Sequence, residues 1–176
     1  MNTPAKPKST APTGVRAAAI AAALVASLFV WESSSKRPLT PYRDIVGVLT
    51  VCNGVTGSRV IEGRKYTEAE CDALERGYVD RMISRMGQCV TVPLTDGEWI
   101  AYGHWAYNVG TEAFCNSSLL RKLNAGDRVG ACNGMAAWTW VTKNGKKVNC
   151  RIAANRCGGL PARRDYEVKM CLEALP

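Results

Sequence analysis

The chain has 176 residues, room for one domain of about 130–150 residues plus an N-terminal appendage but not for a second full domain. Its formal charge of +8 suits an anionic polymer or surface, yet the Lys and Arg residues are scattered and form no basic stripe with aromatic platforms, which argues against nucleic acid. The eight cysteines (Cys52, Cys71, Cys89, Cys115, Cys132, Cys150, Cys157 and Cys171) include no CxxC pair, and His104 is the single histidine, so disulfides in an exported protein are expected, with no metal and no cofactor.

Residues 1–16 are polar and basic, with Lys6, Lys8 and Arg16 among three prolines, and are expected to form a cytoplasmic tail. No charged residue occurs from Ala17 to Trp31. As a helix, this run would span about 22 Å against roughly 30 Å of bilayer hydrocarbon, and nearly half of it is alanine. The preceding positive charges keep the N-terminus inside and send the remainder out, towards the periplasm. Three fates stay open for residues 17–31. One is a signal peptide cleaved near Ala23 or Ala26. Another is a permanent inner-membrane anchor, for which little apolar area is available. The third is a signal anchor that exports the domain and later leaves the bilayer uncleaved, for which weak hydrophobicity is required.

Residues 32–41 are polar and Pro-bounded and read as a linker opening a domain that runs to residue 176. Residues 44–67 mix Val, Ile and Thr with Gly47, Gly54, Gly57 and Gly63, which predicts short antiparallel strands joined by tight turns. Thr67 with Glu70 forms a capping box that opens a helix to about Met86. A second helix starts at Thr95-Asp96 and ends near Val109, before Gly110. Residues 116–126 and 127–140 are expected to be two short helices, 142–158 an irregular basic insertion, and Pro161 to Leu175 a closing helix. The sum is an α+β arrangement of a small β-hairpin region and a helical lobe. Trp99, Trp105, Trp138 and Trp140 are expected in the core, with sugar stacking by one of them as the alternative. His104 is expected to be a structural, hydrogen-bonded histidine.

Several segments resemble phage lysozymes of glycoside hydrolase family 24. Pro41-Tyr42-Arg43-Asp44, then Gly47 and Leu49-Thr50-Val51-Cys52-Asn53-Gly54, is similar to the family's active-site hairpin. It is followed in the family's order by Tyr66-Thr67-Glu68-Ala69-Glu70-Cys71, Pro93-Leu94-Thr95, Ala106-Tyr107-Asn108-Val109-Gly110, the run from Ser117 to Asp127, and Gly159-Leu160 through Arg163-Arg164 to Glu167. The resemblance implies the phage lysozyme fold and hydrolysis of the β-1,4 bond between N-acetylmuramic acid and N-acetylglucosamine in peptidoglycan, for lysis of a Gram-negative host. Within the family, the N-terminal segment looks closest to signal-arrest-release (SAR) endolysins. A monomer acting on glycan strands is expected.

The family's signature is Glu, Asp nine positions later and Thr six beyond that, which supplies a proton-donating carboxyl group and a second group that steers water. The resemblance assigns Asp44 to orient or activate the water and Thr50 to help hold it. Ser35 stands where the acid is expected, and a serine hydroxyl cannot donate a proton at neutral pH as a raised-pKa carboxyl can. Glu32 follows the aromatic Trp31 at the end of the apolar run, the setting in which family members often place their acid. Choosing Glu32 makes the loop to Tyr42 three residues longer than usual, and loop length costs only about 0.6 kcal/mol per doubling. The expected catalytic set is therefore Glu32, Asp44 and Thr50. The alternative is a catalytically inactive, peptidoglycan-binding lysozyme-like protein in which Glu32 merely marks the membrane boundary. If Glu32 is the acid, tethering holds it at the bilayer and away from Asp44, and release assembles the pair. No cysteine precedes Cys52, which closes the route by which some related enzymes are switched on through disulfide exchange. Spacing leaves 105 disulfide connectivities. Proximity in sequence suggests Cys52–Cys71, Cys115–Cys132 and Cys150–Cys157, leaving Cys89 to Cys171.

Overall fold

The computed structural model describes residues 10–32, 37–44, 47–143 and 145–176, with only the backbone described for 29–32. The first helix, α1 (Gly14–Glu32), contains the whole alanine-rich run. Ile20, Ala21, Leu24 and Leu28 form one buried stripe, whereas Val15, Ala18, Ala19, Ala22, Ala23 and Ala26 face outward. That spacing puts i, i+4 and i+8 on one face of a 3.6-residue helix. The apolar run is thus a core element here, and among the described residues no helix is long and apolar enough to cross a membrane.

The lobe is built around α3 (Asp96–Val109), in which Trp99, Ala101, Tyr102, Trp105 and Ala106 are all buried. A helix apolar on nearly every side must be surrounded, and α3 packs against α1, α2 (Glu68–Met86), α4 (Thr111–Asn116) and α7 (Gly159–Glu173). Both long central helices start at capping boxes: Thr67 with Glu70 opens α2, and Thr95 with Glu98 opens α3. Each threonine hydroxyl accepts the N3 amide, and each glutamate accepts the cap residue's own N–H. Two short helices, α5 (Ser118–Asn124) and α6 (Arg128–Gly134), pack on each other.

Helix α1 runs parallel to α3. Arg16 Nε donates to Asp96 Oδ1 at 2.6 Å in the first turn of α3, and Leu24 lies against Gly103 in its middle. Because the two helices rise equally per residue, Glu32, eight residues beyond Leu24, comes level with Thr111, just past the end of α3. Ahead of the helix, Thr10 N–H donates to the Gly87 carbonyl at the end of α2.

The small sheet is antiparallel, in the order β1 (Tyr42–Arg43), β2 (Leu49–Val51), β3 (Val55–Thr56). Val51, Cys52, Val55, Val60, Tyr66 and Cys71 form its own small core, closed by the Cys52–Cys71 disulfide.

Four expectations are corrected. The chain does not continue as a helix to residue 140: after a single 3-10 turn at Met135–Ala137 it turns into β4 (Trp140–Lys143), which pairs with β5 (Lys146–Asn149). The first part of the supposed irregular insertion is therefore a β-hairpin, followed by a 3-10 turn at Ala153–Asn155. The hairpin's Asn144-Gly145 dipeptide is a strong hairpin signal, and Gly145 has φ +74°. Trp140 is not core but 58% exposed on that hairpin. Two disulfides also differ, since Cys89 pairs with Cys115 and Cys132 with Cys171, while Cys52–Cys71 and Cys150–Cys157 are as expected. Cys115 and Cys132 are neighbours in sequence but lie on α4 and α6, and the packing of the lobe carries Cys132 to α7.

Candidate active site

The β1–β2 hairpin pairs Tyr42 with Thr50 and Arg43 with Leu49. Continuing that register sets Asp44 opposite Val48, and the Val48 N–H donates to Asp44 Oδ1 at 2.9 Å. Paired residues share a face and side chains alternate along a strand, so Asp44 and Thr50 lie on the same face. Asp44 is partly exposed at the turn, whereas Thr50 is buried, its hydroxyl donating to the Val48 carbonyl at 3.0 Å.

Besides the Cys52–Cys71 disulfide to α2, hydrogen bonds at Asn53 tie this sheet to the lobe. The Tyr107 hydroxyl, in the last turn of α3, donates to the Asn53 carbonyl beyond β2. The Asn53 N–H in turn donates to Glu75 Oε1 of α2 at 3.0 Å, and Arg37 holds the other oxygen of Glu75 at 2.6 Å. Glu75 is buried, and a buried carboxylate held by a guanidinium and a backbone amide is a stiff anchor. The end of α1, at Glu32, comes to this same end of α3. Ser35 lies outside the described residues.

Behind the last turn of α3, α7 contributes a polar network that the sequence reading did not assign. Glu167 is fully buried. His104 Nδ1 lies 2.8 Å from Glu167 Oε1, Arg163 Nε donates to the same oxygen at 3.2 Å, and Arg164 pairs with Oε2. Burial alone would raise the Glu167 pKa, but the His104 hydrogen bond and the Arg164 charge outweigh it and hold the carboxyl below its ordinary value. Arg164 also donates to Asn108 Oδ1 and, at 2.9 Å, to the Trp138 carbonyl. The signal available was Arg-Arg-x-x-Glu on a helix, with charges on a face that should be apolar. His104 is thereby the hydrogen-bonded structural residue expected of it.

A helical lobe with a small antiparallel sheet at its edge is the architecture of the phage lysozyme fold. The model of the Phage lysozyme family matches residues 31–167, and the chain belongs to that family, as a glycoside hydrolase of the lysozyme class. It is 39% identical over 132 residues to a SAR-endolysin of Bacteriophage PS119, covering 75% of this chain and 72% of that one. A SAR-endolysin of Escherichia phage Mu is 41% identical over 128 residues, 73% of this chain and 68% of that one. Among solved structures, the endolysin from Escherichia coli O157:H7 phage FAHEc1 superposes with a TM-score of 0.70 at 26% identity, covering 86% of this chain and 92% of that one.

Proposed function

We propose that the chain is an endolysin that hydrolyses the β-1,4 bond between N-acetylmuramic acid and N-acetylglucosamine in host peptidoglycan. Glu32 protonates the leaving oxygen, Asp44 steers the attacking water and Thr50 helps to hold it. The observation that carries this reading is the shared face of Asp44 and Thr50 on a hairpin anchored through Asn53 to the end of α3 that the end of α1 also reaches. The inactive alternative raised by Ser35 finds no support among relatives named SAR-endolysin.

The same reading gives α1 two successive environments. In the tethered state, residues 1–16 stay in the cytoplasm, residues 17–31 lie in the inner membrane, and residues 32–176 are in the periplasm as a muramidase domain lacking its first helix. In the released state α1 fills the lobe. Burying side chains such as Ile20, Leu24 and Leu28 contributes about 1.5–3 kcal/mol each relative to water, so a weakly held helix that leaves the bilayer has a site to enter. Its exposed alanines suit both states, being apolar enough for lipid and small enough to tolerate water.

The test uses the full-length oxidised protein on outer-membrane-permeabilised cells, with Glu32→Gln, Ser35→Ala and Asp44→Asn. Loss of clearing with Glu32→Gln and Asp44→Asn but not with Ser35→Ala is expected. A folded, membrane-free parent that clears nothing overturns the reading. Products with ordinary reducing ends mark hydrolysis, and anhydro ends would reassign the reaction to transglycosylation. For the anchor, uncleaved protein passing from membrane to soluble fraction over time is expected, and a shortened product would instead mean signal-peptide cleavage.

A further inference from the structure

The net positive charge of this protein is accounted for by one segment. Between Asp127 and Asp165 there are eight Lys and Arg residues and no Asp or Glu, and the rest of the chain is balanced at 15 of each. Four of the eight are engaged internally: Arg128 pairs with Glu98, Arg151 with Asp165, and Arg163 and Arg164 with Glu167. Lys143, Lys146, Lys147 and Arg156 are exposed and have no acidic partner among the described residues. Three of these four are on the β4–β5 hairpin.

Trp140 stands on the same hairpin. The register pairs Trp140 with Asn149 and Thr142 with Lys147, so these four side chains share one face, with Lys147 diagonal to the indole. Trp138, Trp140, Thr142 and Lys147 line a shallow hollow of about 280 Å³, the scale of a single sugar ring and near the lower bound of roughly 300 Å³ for small-molecule sites. An indole left in water forfeits a large apolar burial, and the core has no need of it, because Trp99 and Trp105 are fully buried and Trp138 packs edge-on against Trp105 at 5.0 Å. The hairpin is also continuous with the candidate site: the Trp138 carbonyl at its root accepts from Arg164, which holds Asn108 in the last turn of α3.

We propose that this face of the β4–β5 hairpin is an accessory subsite for the peptidoglycan strand, in which a sugar ring stacks on Trp140 and Lys147 pairs with a carboxylate carried by the same polymer. An exposed indole beside a hydroxyl and an unpaired ammonium matches a ligand that is apolar on its ring faces, hydroxylated at its edges and anionic at intervals. The subsite extends the grip of the enzyme on the glycan beyond the cleaved bond. It rests on the reading of the chain as a peptidoglycan hydrolase.

The experiment measures binding of the full-length oxidised protein to purified sacculi in an Asp44→Asn background, with Trp140→Ala, Trp140→Tyr and Lys147→Ala added singly. Trp140→Ala is expected to weaken binding by about fivefold or more, Trp140→Tyr to retain most of it, and Lys147→Ala to weaken it while flattening its salt dependence. With Asp44 restored, Trp140→Ala should slow clearing at limiting sacculi yet cleave short soluble glycan fragments like the parent. Circular dichroism confirms folding, and Lys147→Ala and Trp140→Tyr keep the test decisive if Trp140→Ala does not fold. Unchanged sacculus binding in Trp140→Ala overturns the inference, as does indole protection by anionic phospholipid vesicles but not by sacculi. If the parent clears sacculi and the hairpin variants match it, only the subsite fails. If the folded parent neither binds nor clears, the hydrolase reading itself fails.

Discussion

Replacing Gly103 by alanine puts a methyl group where α1 packs on α3. A Cβ at that position would lie 2.6 Å from Leu24 Cδ2 and 3.7 Å from Leu24 Cδ1 and Cγ. Carbon atoms pack at about 3.5–4.0 Å, so Leu24 must retreat by about 1 Å. Overpacking of this kind costs about 1–3 kcal/mol, partly offset by about 1 kcal/mol from exchanging a mid-helix glycine for alanine. Leu24→Ala alone leaves a cavity at a fully buried position and should cost about 2–5 kcal/mol. In the double variant the new methyl occupies part of the vacated volume. The pair should therefore be less destabilising than the sum of its parts by about 1–2 kcal/mol, within the range seen for touching residues. Urea unfolding of the released protein measures this, and thermal midpoints should move by about 2–4 °C per kcal/mol. Gly103→Ala leaves the sequence of α1 untouched, so membrane insertion should be unchanged while clearing of permeabilised cells falls. Additivity within about 0.5 kcal/mol would refute the docking of α1 on α3 through this contact.

Tyr107→Phe removes the hydroxyl that holds the Asn53 carbonyl. Stability should fall by only about 1 kcal/mol, while clearing falls further because the sheet is no longer held against the lobe; an equal, small change in both would separate this contact from catalysis. The acid sensitivity of the fold should depend on Glu167. Its folded pKa is depressed below the ordinary 4.5, so its contribution is complete above that pH and is lost as pH falls through the folded value. Urea titrations from about pH 6 to about pH 3 should accordingly show a shallower decline for Glu167→Gln, which is less stable at neutrality, than for the parent. Loss of the Cys132–Cys171 bridge, with a sequence separation of 39, should cost roughly 4 kcal/mol, and loss of Cys150–Cys157, separated by 7, roughly 2.5 kcal/mol. Thermal melts of paired Cys→Ser variants check the order.

The features readable from sequence were the local ones. Thr67 with Glu70 marks a helix start because a capping box is complete within four residues, and Gly110 ends α3 because its φ of +92° suits a residue without a side chain. Asp44 and Thr50 were readable through the resemblance to the family's signature, and the strand register then sets both on one face. Cys52–Cys71 and Cys150–Cys157 close short loops, and proximity in sequence found them.

What remained for the tertiary structure depends on which surfaces meet. The pairing of Cys89 with Cys115 and Cys132 with Cys171 follows from how the short helices pack, which no spacing encodes. The charges at Arg163, Arg164 and Glu167 become intelligible only when His104 and Asn108 of α3 are laid against them. Trp140 resembled three other core tryptophans until the hairpin turned it outward. The apolar run before Glu32 had enough hydrophobicity for a weak membrane segment and a helical stripe suited to a core, and composition could not choose between them. The choice belongs to its neighbours: with α2 and α3 alongside, Ile20, Leu24 and Leu28 leave water together, and the helix becomes the first element of the enzyme.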